Sequence, residues 1–133
     1  SSLHITLEFI GETDKIEQIC TNLKKIDFKE FSVQTTQISN FNMRVIYLGV
    51  ESIYLKDLQK KVVSYLGRKS YEYVPHITIA RVSEVSDMDR FMLLLKSIQV
   101  EKKSFNVNGF VLYESILLPK APLYKKIMEF KAK

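Results

Sequence analysis

Both histidines of the chain stand in nearly the same four-residue phrase. His4 lies in "HITL" and His76 in "HITI", and the sequence contains no other histidine. On a β-strand, side chains at positions i and i+2 point to the same face. His4 would therefore share a face with Thr6, and His76 with Thr78, while the aliphatic residues between and after them would point into a core. Each phrase offers an imidazole beside a hydroxyl.

This combination suits acid–base chemistry at a phosphodiester. Histidine is the side chain best suited to moving protons near neutral pH, and two histidines can divide the work. If the strands lie side by side, one imidazole would activate the entering oxygen and the other would protonate the leaving oxygen. The hydroxyls of Thr6 and Thr78 would hold the phosphoryl oxygens. A lone histidine on a strand is more often an ordinary packing or surface residue, but the repetition favours catalysis.

Two other kinds of chemistry have weaker support. A zinc site needs further ligands, and the only carboxylate at a helpful spacing is Glu8, which would share the face of His4 and Thr6. The single cysteine, Cys20, excludes an internal disulfide and gives no metal-site pattern. It lies on the apolar stripe of a predicted helix, which favours a buried structural thiol over a nucleophile. The sequence therefore predicts neither a metal nor another cofactor.

The composition is that of an ordinary globular protein. The chain has 133 residues, of which 46% are hydrophobic and 26% charged, which predicts one domain covering residues 1–133. No apolar run is long enough to span a bilayer and no secretory leader is evident, so a cytoplasmic location without membrane contact is expected. The formal net charge of +5 is compatible with a phosphate-bearing partner, although solvated lysines explain it more simply.

Short β-like runs alternate with amphipathic helices in the order β-α-β-β-α-β-α-β-β. The strands are predicted in "LHITLEFI", "EFSVQTTQIS", "RVIYLGV", "HITIARV", "KSFNVNGFVLYES" and "PLYKKIMEFKA", the last two as an antiparallel pair. The helical stripes are Ile16, Ile19, Cys20, Leu23 and Ile26; Leu55, Leu58, Val62 and Leu66; and Met88, Phe91, Met92, Leu95 and Ile98. This order predicts an α+β fold with helices covering antiparallel sheets.

The two H-x-T phrases and their surroundings resemble the 2H phosphoesterase superfamily. More closely, the chain is similar to the LigT-like RNA 2′,3′-cyclic phosphodiesterases, also called 2′-5′ RNA ligases. "LHITLEFIGE" looks like the first motif of that family, and "VPHITIARV" resembles the second, with an arginine five residues after the histidine. "RVIYLGV" and "VLYESILLPKAPLYKKIMEF" are similar to later family segments in the same order.

The resemblance implies a fold, an activity and a division of labour. The fold would be bilobal, with two pseudo-symmetric lobes whose antiparallel sheets face a central groove and whose helices pack outside. The activity would be the metal-independent opening of a 2′,3′-cyclic phosphate to a 2′-phosphomonoester on RNA ends or nucleoside cyclic phosphates. His76 would activate water and His4 would protonate the departing 3′ oxygen, with Thr6 and Thr78 binding the phosphate.

The resemblance also implies further substrate-binding residues. Arg81 would lend positive charge at the phosphate, although at i+5 from His76 it leaves that face in an ideal strand. Phe9 and Tyr124 would stack on a base, with core or hairpin packing as an alternative for each. Arg44 would meet the RNA backbone, or it is an exposed arginine on an edge strand. Family members usually carry an apolar strand and a helix before the first motif, whereas His4 here follows only "SSL", so those elements are expected to be lacking.

Alternative functions follow from the same residues. Within the same chemistry, the chain would be a 2′-5′ RNA ligase or a 2′-5′ phosphodiesterase. In a different class, the basic balance is compatible with a non-catalytic module that binds RNA ends or nucleotides.

Overall fold

The computed structural model describes residues 3–133 and contains three helices and six strands in that range. In chain order they are α1 (Ile16–Leu23), β1 (Phe31–Phe41), β2 (Val45–Glu51), α2 (Ile53–Tyr65), β3 (His76–Arg81), α3 (Met88–Ser97), β4 (Ser104–Val107), β5 (Gly109–Leu117) and β6 (Pro122–Lys131). None of these helices is long and apolar enough to cross a membrane.

The strands form two antiparallel sheets. The first has four strands in the order β3-β2-β1-β4, and the second consists of β5 and β6. Helices and antiparallel sheets together make an α+β protein, so the predicted fold class is confirmed. The division of residues 1–133 into one domain with two pseudo-symmetric lobes stays a prediction.

The predicted apolar stripe of α2 is confirmed. Leu55, Leu58 and Val62 are buried, and they share one core cluster with Val33 of β1, which is fully buried. Ser52 is the N-cap residue of α2. Its hydroxyl accepts a hydrogen bond from the Leu55 amide at 3.2 Å, which satisfies one unpaired donor of the first turn. This packing covers one face of the four-stranded sheet with α2.

The core also joins the two sheets. Phe130 of β6 belongs to the same buried cluster as Phe31 and Val33 of β1. On the two-stranded sheet, Phe130 stacks on Phe110 with ring centroids 4.8 Å apart, a geometry in which aromatic pairs gain contact beyond simple burial. Cys20 is buried on α1, which confirms the expected structural role of the thiol.

The run "KSFNVNGFVLYES" was expected to be one strand, and that prediction is wrong. It is divided at Asn108 into β4, which pairs with β1, and β5, which pairs with β6. The chain changes sheets there because Gly109 approaches the partner backbone closely: a Cβ at this position would lie 2.7 Å from the Phe130 carbonyl oxygen. Glycine permits this approach, since it has no Cβ.

The expected first strand, "LHITLEFI", is also wrong. Only Ile5 forms a bridge, to Ile77 of β3, and the chain bends at Leu7. The strand does not continue because the carbonyl groups of Thr6, Phe9 and Ile10 accept hydrogen bonds from side chains rather than from a neighbouring strand.

Candidate active site

The second H-x-T motif lies on a regular antiparallel ladder. His76 is paired with Gly49 and Thr78 with Tyr47, both on β2. Residues directly opposite one another on an antiparallel pair point to the same face. His76, Thr78 and Tyr47 therefore share one face of the four-stranded sheet, as the i and i+2 spacing predicted for the two motif residues.

Hydrogen bonding fixes the tautomer of His76. Its Nδ1 lies 2.8 Å from the carbonyl oxygen of Val74, and because a carbonyl can only accept, the proton must be on Nδ1. In the neutral ring, Nε2 then carries a free lone pair, which is the form that a general base needs. The arrangement suits His76 to take a proton from water.

Two aromatic rings hold the His76 imidazole from the side. The ring of Phe41 meets it edge-on at 5.0 Å between centroids, and that of Tyr47 at 5.3 Å. Phe41 and Tyr47 are themselves stacked at 4.2 Å. The imidazole is therefore restricted to a narrow range of orientations, since both flanking rings are braced against each other.

A bulge in β3 changes the direction of Arg81. Thr78 pairs with Tyr47, but Ala80 pairs with Ile46, so Ile79 is an extra residue without a partner of its own. One inserted residue reverses the alternation of side chains beyond it. Arg81, opposite Val45, thus returns to the face of His76, although a regular strand would direct a residue at i+5 away.

The bulge also corrects one expectation about the core. Ile79 was predicted to point inward together with Ile77. Ile77 packs against the core cluster, but the Ile79 side chain is 46% exposed. The unpaired position is turned outward by the local kink, which is what a bulge does to the residue it adds.

The two motifs meet at one antiparallel bridge between Ile5 and Ile77. Both isoleucines pack against the core, so the histidine and the threonine that flank each of them point to the opposite face. Continued by one residue in each direction, this register sets His4 opposite Thr78. A register continued in this way would make the two histidines diagonal neighbours, a spacing of about 7–8 Å in a regular antiparallel pair.

The structure places Tyr124 beside His4. Their rings make an edge contact with centroids 5.5 Å apart, and Tyr124 contacts Tyr113 on the neighbouring strand at 6.2 Å. Tyr124 is 44% exposed, so it both packs within the hairpin and remains accessible beside His4. Its role in base stacking stays a prediction.

Phe9 and Arg44 are the two remaining candidates for substrate binding. Phe9 is 78% exposed, which makes the core-packing interpretation wrong. The Arg44 guanidinium donates to the carbonyl oxygen of Ser83 at 2.8 Å and so ties the β1–β2 turn to the segment after β3. This is a structural contact, and a role of Arg44 toward RNA stays a prediction, as does base stacking by Phe9.

Glu8, the one carboxylate at a helpful spacing for a metal, is engaged in another interaction. Its two oxygens accept hydrogen bonds from Arg68 at 3.1 Å and from Tyr71 at 2.6 Å. Within residues 3–133, no three side chains of His, Cys, Asp or Glu lie close enough together to hold a metal ion.

A cleft of about 510 Å³ lies next to the second motif, although neither His76 nor Thr78 lines it. Its walls include Tyr47, Gly49, Ser39 and the segment 72–75 that leads into His76. The chain thus has room beside the second motif for part of a nucleotide.

Comparison with known proteins agrees with this geometry. The profile of the 2′-5′ RNA ligase superfamily matches residues 1–116. The chain belongs to this superfamily. The resemblance inferred from the two motifs is thereby confirmed, and so is the prediction of an enzyme, because the superfamily consists of enzymes.

Individual proteins of known sequence or structure also match the chain over almost its whole length. An RNA 2′,3′-cyclic phosphodiesterase of Methanocaldococcus jannaschii is 32% identical, over 97% of the chain and 80% of that relative. One of Aeropyrum pernix is 30% identical, over 98% and 82%. The crystal structure of E. coli LigT complexed with 3′-AMP has a TM-score of 0.75 at 21% identity, covering 98% of the chain and 75% of LigT. At that identity, LigT supports the fold alone.

Sequence reasoning on this superfamily member missed Phe41 and Tyr47, which brace His76. Tyr47 was readable as a strand residue in "RVIYLGV", but only the register of β2 against β3 shows that it faces Thr78. Reasoning also missed Arg68, Tyr71 and Tyr73, whose hydrogen bonds reach the first motif. Their positions just before the second motif were the available signal.

Proposed function

We propose that the protein is a metal-independent RNA 2′,3′-cyclic phosphodiesterase that opens the cyclic phosphate to a 2′-phosphomonoester. One observation carries the proposal: Ile5 and Ile77 form a bridge and both pack against the core, which favours a common face for the histidine and threonine of both motifs. The names of the curated relatives support the same activity. The LigT-like division of residues 1–133 into two lobes around a groove belongs to this proposal.

The reaction requires one base, one acid and a cradle for the phosphoryl oxygens. Nε2 of His76 takes a proton from water, and the resulting oxygen attacks phosphorus opposite the 3′ oxygen. The bond from phosphorus to the 3′ oxygen breaks, and His4 donates the proton that the 3′ oxygen needs. The product carries a 2′-phosphate and a 3′-hydroxyl. The tautomer fixed by Val74 supports His76 as the base.

Hydroxyls and one cation stabilise the charge that develops on the phosphoryl oxygens. Thr6 and Thr78 each have a hydroxyl on the proposed groove face, and such donors stabilise an oxyanion without prior reorganisation. Arg81, returned to this face by the bulge, adds positive charge. These groups supply the stabilisation that a metal ion gives in other phosphodiesterases, which is why EDTA is expected to leave turnover unchanged.

The substrate class is the end of an RNA strand or a nucleoside 2′,3′-cyclic phosphate. Tyr124, exposed beside His4, would stack on a base, and base stacking tolerates any sequence. The cleft beside His76 gives the adjoining nucleotide a place. A cytoplasmic location, favoured by the sequence, stays part of this proposal.

The test is turnover of adenosine 2′,3′-cyclic phosphate with identification of the product. We expect the 2′-phosphate to form with EDTA present, and His4→Asn and His76→Asn each to lower kcat by about 10²–10⁴-fold. Tyr65→Phe, on the exposed part of α2, is the control and keeps wild-type turnover. Full activity in either histidine variant would contradict the proposal, and salt-sensitive RNA binding without turnover would support a binding module instead.

A second candidate within the same chemistry is the formation or hydrolysis of a 2′-5′ linkage, which the name of the superfamily favours. The same two histidines would serve, with their roles exchanged in the direction of ligation. Incubation of a 2′,3′-cyclic phosphate end with a 5′-hydroxyl end distinguishes the two. Ligation predicts a product resistant to a 3′-5′-specific nuclease, whereas hydrolysis predicts only the 2′-phosphate.

A further inference from the structure

The backbone of the first motif is held by side chains from one distant segment. Tyr73 donates its hydroxyl to the carbonyl oxygen of Thr6 at 2.5 Å. Arg68 donates to the carbonyl oxygens of Phe9 at 3.0 Å and of Ile10 at 2.6 Å. These bonds take the place of a strand ladder, because Ile5 alone has a bridge to the sheet.

The side chain of Glu8 is held by the same segment. Only 8% of this side chain is exposed, and a buried carboxylate is costly unless it is paired and hydrogen-bonded. Arg68 supplies the opposite charge at 3.1 Å, and the Tyr71 hydroxyl donates a second hydrogen bond at 2.6 Å. Burial raises the pKa of Tyr71, and its bond to Glu8 raises it further, so the phenol stays protonated as a donor.

The segment that provides these donors also reaches the second motif. It connects α2 to β3 and ends directly at His76. The Val74 carbonyl accepts from His76 Nδ1 at 2.8 Å, and the Pro75 carbonyl accepts from the Val50 amide of β2 at 3.4 Å. Residues 68–75 therefore contact the first motif at one end and the second motif at the other.

We propose that Arg68, Tyr71 and Tyr73 are positioning residues for the first half-site, acting on the reaction through Thr6 and His4. We call these three side chains the clamp. They lie in the segment that leads to His76, and they fix the position of the first motif relative to the second. The inference rests on the proposed function, since it assigns the clamp a role in that reaction.

The physical reason is the sensitivity of catalysis to placement. A displacement of about 1 Å in a reacting group can cost on the order of 10²-fold in rate. The first motif has one bridge and no continuing ladder, so the direction of Thr6 depends on the bond from Tyr73 to its carbonyl. The hydrogen bonds of the clamp residues go to backbone carbonyl groups or to Glu8 rather than to the motif side chains, which makes them positioning rather than catalytic residues.

The test is a pair of double-mutant cycles on turnover of adenosine 2′,3′-cyclic phosphate. Tyr73→Phe removes one hydrogen bond and little volume, and we expect it to lower kcat about tenfold with KM within about twofold. The loss should be clearly smaller in a Thr6→Ala background, where only the part transmitted through His4 is left, and should persist in full in a Thr78→Ala background, because coupled residues are not additive and independent ones are. Tyr65→Phe is the matched control, without effect in any background.

Equal losses in both backgrounds, or no loss at all, would overturn the proposal. Arg68→Lys gives a second variant, with Arg90→Lys on α3 as its control, and should show the same dependence on Thr6. Proton NMR gives a test that does not depend on turnover. Because the chain has only two histidines, their ring signals can be told apart. Tyr73→Phe should shift the ring signals of His4 and leave those of His76 in place. Unmoved His4 signals would contradict the clamp even if the protein hydrolysed no cyclic phosphate.

Discussion

The two H-x-T motifs have nearly the same sequence but different structural support. The second motif lies on β3, with a strand on one side and the Ile5 bridge on the other. The first motif has that single bridge and is otherwise held by side chains from residues 68–73. Nearly identical sequence motifs therefore do not need identical backbone structures. Side-chain donors can substitute for a ladder when they satisfy the same carbonyl groups.

If the two half-sites are equal in chemistry, removal of either threonine hydroxyl should lower turnover by the same large factor, second only to the loss of a histidine. Thr6→Ala and Thr78→Ala are each expected to lower kcat about 100-fold, as loss of one oxyanion donor does. Steady-state kinetics on a nucleoside 2′,3′-cyclic phosphate measures both. The serine variants keep the hydroxyl and serve as controls, within about tenfold of wild type. A near-normal Thr6→Ala enzyme would limit phosphate binding to the second motif.

The free energy of unfolding should respond differently to an added side chain near the second motif and near the first. At Gly49, opposite His76, an added Cβ would collide with the Thr36 hydroxyl, and overpacking costs about 1–3 kcal/mol. At Gly11, just after the first motif, φ is +85° and a Cβ would meet nothing within 4 Å, so only backbone strain of about 1 kcal/mol applies. Urea unfolding of Gly49→Ala and Gly11→Ala compares them. Equal losses would mean that the ladder beside His76 tolerates a side chain.

The bulge in β3 returns Arg81 to the face of His76, where we propose that it is the cation of the second half-site, and two arginine variants test this proposal. Arg81→Gln is expected to lower kcat/KM about tenfold, the order of one lost charge-assisted contact. Arg44→Gln removes only the bond to the Ser83 carbonyl and should change kcat/KM less than about threefold. The two variants are compared with the same substrate at one ionic strength. The opposite ranking would place Arg44, and not Arg81, at the phosphate.

The smallest expected effect is a change in how the free energy of unfolding depends on pH, caused by Tyr73 of the clamp. Burial raises the pKa of Tyr73 far above its usual range, so the folded state keeps this phenol protonated after the unfolded state has begun to lose its proton. Its stabilising contribution is complete below a pH of about 10 and is lost as the pH rises further. The free energy of unfolding should therefore fall less steeply above that pH in Tyr73→Phe than in wild type. Parallel curves for the two proteins would contradict this assignment.

The sequence predicted the parts of the fold that depend on local pattern. The α2 stripe of Leu55, Leu58 and Val62 is visible as a helical period, and β1 and β2 are visible as β-rich runs. Both H-x-T phrases and the family were also readable, because the spacing of His and Thr is a local property. These features need no knowledge of which strand neighbours which.

What the sequence did not reveal depends on partners far along the chain. The direction of Arg81 requires the bulge at Ile79, which exists only in register with β2. The absence of a first strand follows from donors at Arg68 and Tyr73, about sixty residues away from the carbonyls they satisfy. The alternation of polar and apolar residues along "LHITLEFI" could not predict those bonds. Such a pattern indicates which face of a strand a side chain lies on, but not which groups its backbone bonds to.

The most direct test of the central claim is a crystal structure with the expected product, adenosine 2′-phosphate. The phosphate is expected to lie between the two motifs. A ring nitrogen of His4 and Nε2 of His76 should each be within about 3.2 Å of a phosphate oxygen, on opposite sides of phosphorus. A phosphate held by one histidine alone, or bound away from the face that the Ile5–Ile77 bridge defines, would contradict it.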